Sequence, residues 1–159
     1  MHPLPAQLLS IFGATLATPW VAWQEARLLR KGSPLPEKLL TWARKQNIAS
    51  PSKVRTLHAP VFPLPAPMFL RRWVDALGFP CLHLAGLSLR NGIYLAPDLA
   101  DEEAVIQHEL IHTRQYQEAR SIFTFLRRYL FQCLTDGYHN CLMEREARGE
   151  PLKNRDSLM

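Results

Sequence analysis

The run His108-Glu109-Leu110-Ile111-His112, continued by Thr113, Arg114, Gln115 and Tyr116, lies in a stretch without proline or glycine that reads as one helix. Side chains four apart stack on the same helical face, so His108 and His112 can aim two imidazoles at a single point, while Glu109 projects to one side of it. The spacing is that of an HExxH zinc motif. Val105 and Ile106 before it, Leu110 and Ile111 within it and Thr113 after it keep the flanks uncharged, as a buried metal helix requires. The competing account is a solvated helix face whose polar residues fall at this spacing.

A catalytic zinc ion usually has three protein ligands and one open position, so a third ligand must come from elsewhere in the chain. Gly137-Tyr138-His139-Asn140-Cys141-Leu142-Met143-Glu144-Arg145-Glu146-Ala147-Arg148 follows after enough chain for a second helix and a turn. Glu144 is the preferred third ligand, because an antiparallel return would bring its carboxylate over the first helix. Glu146 competes, but it sits about 200° away from Glu144 on a helix and would face solvent if Glu144 faces the metal. A surface carboxylate paired with Arg148 at i,i+4 is the plain alternative for Glu144. Cys141 is a small buried residue in preference to a soft metal ligand.

An HExxH helix followed by a helical glutamate resembles the gluzincin group of zincin metallopeptidases. The longer set Ala85 to Leu89, Gly92 to Leu95, His108 to Tyr116, Phe125 to Leu130, Gly137-Tyr138 and Glu144 to Arg148 is similar to a family of small bacterial HExxH proteins, over roughly Pro51 to Arg148. The resemblance implies zinc held by His108, His112 and Glu144, with Glu109 as catalytic base. Many gluzincins carry an aspartate four residues after the glutamate ligand to orient a ligand histidine; Arg148 stands there in this chain. That change bears more on activity than on ligation, since such partners tune metal affinity and rate.

With zinc, water becomes a nucleophile near neutral pH and the carbonyl under attack is polarised. Glu109 then accepts the proton of the attacking water and hands it to the leaving amine. Tyr138 and His139 are candidate donors to the developing oxyanion, although a tyrosine after a glycine also serves as packing at a helix entry. Gln115 and Tyr116 are read as packing or capping residues.

The N-terminal segment is the least determinate. From His2 to Gln24 there is no formal charge unless His2 is protonated, and Leu8, Leu9, Ile11, Phe12, Leu16, Trp20, Val21 and Trp23 make it apolar; Glu25, Arg27, Arg30 and Lys31 follow. A cleaved signal peptide would start with lysine or arginine, which is missing here. Length suffices for a membrane span, but Pro5, Gln7, Ser10, Gly13, Thr15, Thr18 and Pro19 dilute the run. An amphipathic helix packed on the domain or lying at a membrane surface is preferred; for a span, the basic residues after it would place the remainder in the cytoplasm.

The net charge of +5 does not imply nucleic acid, because the basic residues come as scattered pairs such as Arg71-Arg72 and Arg127-Arg128 without a recognisable binding module. Three cysteines, Cys81, Cys133 and Cys141, do not make a disulfide framework and suit a reducing compartment. Pro60, Pro63, Pro65 and Pro67 mark an extended connector. Leu39 to Gln46 and Met68 to Leu77 read as short helices, and Lys53 to Ala59 as a strand. His83 to Leu89 and Ile93 to Ala96 form a hairpin about a type I′ turn at Asn91-Gly92. Asp98 or Asp101 caps the HExxH helix, and Ile122 to Cys133 forms an amphipathic helix carrying Phe125, Leu126, Tyr129 and Leu130 inward.

The expected fold class is α+β: a minimal zincin-like domain with the HExxH helix, a small antiparallel sheet or hairpin and two further C-terminal helices. Residues 1–31 are the apolar helix, 32–148 the metal-binding domain and 149–159 a flexible tail. The expected function is a zinc metallopeptidase-like hydrolase acting on a peptide or protein substrate, in the cytoplasm, with peripheral membrane contact through the N-terminal segment. A non-catalytic zinc-binding module and a membrane-peripheral scaffold are the alternatives.

Overall fold

The structure, a computed structural model, describes residues 3–64 and 84–151. Its long elements are α1 (Pro3–Lys31), α2 (Glu37–Lys45), α3 (Glu102–Ala119), α4 (Ile122–Asp136) and the short α5 (Leu142–Ala147). Four short strands, β1 (Ser33–Pro34), β2 (Arg55–His58), β3 (Gly86–Leu89) and β4 (Gly92–Leu95), form one sheet in the order β1-β2-β4-β3. The fold class is α+β. The expected helix at Met68 to Leu77, with Pro65, Pro67 and Cys81, lies outside the described residues.

The sheet is mixed rather than antiparallel. β3 and β4 make the antiparallel hairpin, whereas β2 runs parallel to β4 in the register Arg55↔Gly92 to His58↔Leu95. A parallel neighbour needs a long crossover, and the chain between His58 and Gly86 supplies one.

The hairpin turn also differs from the expected one. Leu89 pairs with Gly92, so Arg90 and Asn91 make the turn, and only Arg90 has a positive φ, at 66°. A type I′ turn needs positive φ at both central residues. Gly92 is instead the first residue of β4, where a Cβ would stand 2.6 Å from Leu28 Cδ1, so close helix packing demands glycine there.

β4 alternates sides and divides the interior in two. Ile93 and Leu95 join Leu39, Ala43, Val54, Ile106 and Leu110 in one apolar cluster, while Tyr94 joins Val21, Leu28, Leu89, Tyr116 and Phe125 in the other. The second cluster includes α1, which packs along α4 and reaches the sheet. Its inner face is small toward α4, with Ala6, Ser10 and Ala14 fully buried, and a Cβ on Gly13 would lie 3.0 Å from Leu130. Nearer its end α1 is bonded to the hairpin: Tyr94 donates to Gln24 Oε1 at 2.9 Å, and Glu25 Oε1 accepts from Asn91 Nδ2 at 2.8 Å. By length and composition α1 is apolar enough to cross a membrane.

Local signals place the remaining helices. Asp101, not Asp98, caps α3 by accepting from Ala104 N at 3.0 Å, and Glu102 and Glu103 occupy its first turn, where the helix dipole favours them. Ser121 caps α4 by accepting from Thr124 N at 3.0 Å. Phe125 is buried, and Leu126 and Tyr129 are half-buried beside it. Past α5, Glu150 is held by Arg145 and Arg148.

Candidate metal centre

α3 carries His108, Glu109 and His112 on its inner side, and the Gly137 turn after α4 sends α5 back across them. Gly137 has φ 82°, a left-handed conformation that glycine adopts without strain. α5 thereby delivers Glu144, only 1% exposed. A surface carboxylate is thus ruled out for Glu144. Glu146 is turned away, binding Arg114 and accepting from Gln115 Nε2 at 2.7 Å.

Three donors converge. His108 Nε2 and His112 Nε2 lie 3.2 Å apart, Glu144 Oε2 is 3.4 Å from His108 Nε2, and Glu144 Oε1 is 3.3 Å from His112 Nε2. Ligand atoms about 2.0–2.1 Å from a tetrahedral zinc ion are separated by about 3.3 Å, so these spacings match a zinc coordination edge. The two carboxylate oxygens are not equivalent. Oε1 accepts a 2.6 Å hydrogen bond from the Tyr129 hydroxyl, whereas Oε2 is buried with no hydrogen-bond donor among the described residues. A buried acceptor left in that state costs free energy that a cation would recover. The donor set therefore fits a divalent metal.

His112, whose Nε2 faces Glu144 Oε1, is oriented from behind. Gln115 Nε2 donates to Met143 O at 3.1 Å and to Glu146, which leaves Gln115 Oε1 as the acceptor for His112 Nδ1 at 2.8 Å. A proton fixed on Nδ1 turns the Nε2 lone pair toward His108 and Glu144. Gln115, assigned to packing from the sequence, thus takes the orienting role for which no aspartate follows Glu144. Arg148 is not a substitute, since its guanidinium stands 4.0 Å from Glu144 Oε2. Tyr129 was likewise expected only as an inward apolar residue. Gln115 lies three residues after His112 on the same face, a local signal; Tyr129 carries none, because its contact depends on where α5 returns.

The charges are strongly coupled. Burial disfavours an ionised Glu144, yet the two imidazoles and the Tyr129 hydroxyl hold it well below the usual carboxylate range. Burial also opposes charge on His112, but Glu144 and Glu109 outweigh it and push the ring to about 9. The cluster is therefore a buried pairing of a cationic ring with a carboxylate. Glu109 behaves differently: burial raises its pKa, against the lowering effect of His112 and His108. It does not join the three donors and instead lies under β3, where a Cβ on Gly86 would be 2.7 Å from Glu109 Cγ.

A cavity of about 150 Å³ reaches this cluster. Its walls come from α1 (Ala17, Trp20, Val21), β3 (Gly86 to Leu89) and α4 (Phe125, Leu126, Tyr129), and it contains His108, Glu109, His112, Tyr138 and Glu144. Tyr138, in a short 3-10 turn, faces this space, and its phenol is pushed up by burial and by Glu144, so it stays a donor. His139 is exposed and offers its carbonyl to Arg148. Only Tyr138 of the two oxyanion candidates is thus brought to the site. In comparisons with known proteins the chain matches no family model, no curated protein and no solved structure.

Proposed function

We propose that this protein is a zinc-dependent metallopeptidase-like hydrolase, with His108, His112 and Glu144 as metal ligands and Glu109 as general base. The observation carrying this reading is the convergence of two imidazole nitrogens and one buried carboxylate at 3.2 to 3.4 Å, with Oε2 of that carboxylate lacking a hydrogen-bond donor among the described residues, beside a second, non-ligating carboxylate. A bound zinc ion would supply the Lewis acid that polarises a carbonyl and eases deprotonation of water near neutral pH.

The chain's own groups account for the rest. Glu109 takes a proton from the attacking water on its carboxylate and passes it to the leaving amine nitrogen, so the amide bond breaks as the new C–O bond forms. Its raised pKa suits both transfers. The Tyr138 hydroxyl donates to the carbonyl oxygen as charge develops there. Tyr129 holds Glu144 Oε1 and Gln115 holds His112 Nδ1, so the ligands need not reorganise. β3 is one of the two edge strands of the sheet among the described residues and forms a wall of the cavity, and an extended peptide could pair with it through main-chain hydrogen bonds. A peptide substrate follows from that edge.

The test is Glu109→Gln beside wild type, with bound zinc and cleavage of a peptide library both measured. A hydrolase loses turnover and keeps its metal. Equal cleavage by the two proteins, or no cleavage by zinc-loaded wild type, would reject the catalytic assignment and favour a zinc-binding module.

A further inference from the structure

The outer face of α1 is the reverse of a soluble helix. Leu8, Phe12, Leu16 and Trp23 are each more than half exposed, and Leu9 is nearly so, while the face against α4 is built from alanine, serine and glycine. Only 22% of the most apolar 18-residue window of α1 is buried, whereas a core helix would be mostly buried. A contiguous apolar surface of this kind marks an interaction face.

Charge identifies what it meets. Residues 3–24 of α1 and 122–135 of α4 contain no acidic side chain. Arg127 and Arg128, both exposed, line a groove with Gln7 and Ser10 at one flank of α1, and exposed Arg30 and Lys31 stand at its far end. Among the described residues none of these four cations is in an ion pair. Leucine, phenylalanine and tryptophan bordered by unpaired cations match acyl chains beneath anionic headgroups.

A transmembrane placement is disfavoured by α4, which lies alongside α1 and would carry the charges of Arg127 and Arg128 into the membrane with it. The last part of α1 is in addition bound within the domain, through Val21, Gln24, Glu25 and Leu28. We infer that α1 and α4 together form a docking face for an anionic lipid bilayer, with the α1 apolar side chains inserted at the interface and Arg127 and Arg128 on the headgroups. This docking is independent of the hydrolase assignment.

The experiment is co-sedimentation of the full chain with phosphatidylcholine vesicles, with and without phosphatidylglycerol. Wild type should pellet with the anionic vesicles and stay largely in solution with phosphatidylcholine alone. The double variant Arg127→Gln/Arg128→Gln should bind about 30-fold more weakly, since each basic residue near an anionic surface contributes about fivefold. Leu8→Ser/Phe12→Ser should bind at least about tenfold more weakly while melting at the wild-type temperature, because both positions are exposed. Wild type remaining in the supernatant, or binding indifferent to both double variants, would overturn the inference. So would resistance to alkaline carbonate extraction, which indicates a span, or a lipid-free dimer abolished by Leu8→Ser/Phe12→Ser, which assigns the face to a second copy.

Discussion

α3 buries Glu109, His112, Thr113 and Gln115 where a core helix would place aliphatic residues, while α1 leaves Leu8, Phe12, Leu16 and Trp23 in solvent where a surface helix would place charges. Both depart from the ordinary distribution, in opposite directions. Polar groups are taken inside only when they are satisfied: in α3 His112 bonds Gln115 and Thr113 bonds Ser88, while Glu144 on α5 accepts from Tyr129 on one oxygen and has the other left for a cation. Large apolar groups stay outside when something other than the protein is to cover them. On the reading proposed above, the interior exception serves chemistry and the exterior one a partner.

Glu109→Gln should have the largest effect on the α3 side, lowering peptide turnover by about 10²- to 10⁴-fold, the usual contribution of a general base, with zinc content unchanged. Steady-state cleavage and metal analysis on the same sample check it. Next, the two faces of α1 should separate cleanly in thermal or denaturant unfolding. Leu28→Ala, at a fully buried position against Gly92, should cost about 2–5 kcal/mol of stability. Leu8→Ser, on the exposed face, should stay within about 0.5 kcal/mol of wild type. Equal losses would remove the distinction between the two faces.

Smaller effects test how the ligands are held. Gln115→Ala should weaken zinc binding by about 10- to 100-fold, as expected when the partner orienting a ligand histidine is lost, without removing any ligand. A competition titration with a chromophoric chelator reads this directly. Tyr129→Phe keeps the ring stacked on Phe125 and removes only the donor to Glu144, so its loss in affinity should fall at or below the lower end of that range. Stripping the metal from wild type should lower its melting temperature, because a ligand bound only by the folded state at 100 times its Kd adds about 2.7 kcal/mol.

The parts of the site legible in the sequence were those set by spacing along one helix. His108 and His112 share a face because they are four apart, and Glu144 rather than Glu146 points inward because the two are about 200° apart on α5. The cap at Asp101, one of two aspartates the sequence offered, and the start of α4 at Ile122 were local too, whereas α2 starts two residues earlier and α4 ends three residues later than the pattern implied. What escaped the sequence depends on how elements return to one another. Tyr129 bonds Glu144 only because α5 folds back across α4, and β2 pairs parallel with β4 only through a crossover that no short-range pattern encodes. The turn at Arg90-Asn91 displaced the Asn-Gly signal because Leu28, distant in sequence, requires a glycine in the first position of β4. Composition showed that α1 is apolar but could not show that its small residues face inward and its large ones outward.

The most direct test of the central claim is metal content by mass spectrometry on purified, zinc-loaded wild type beside His112→Ala and Glu144→Ala, each checked for folding by circular dichroism. One zinc ion per wild-type chain, lost in both folded variants, is the predicted result. A wild type that takes up no zinc, or variants that retain it in full, would contradict the three-ligand centre and leave the convergence of His108, His112 and Glu144 as a buried ion-pair cluster.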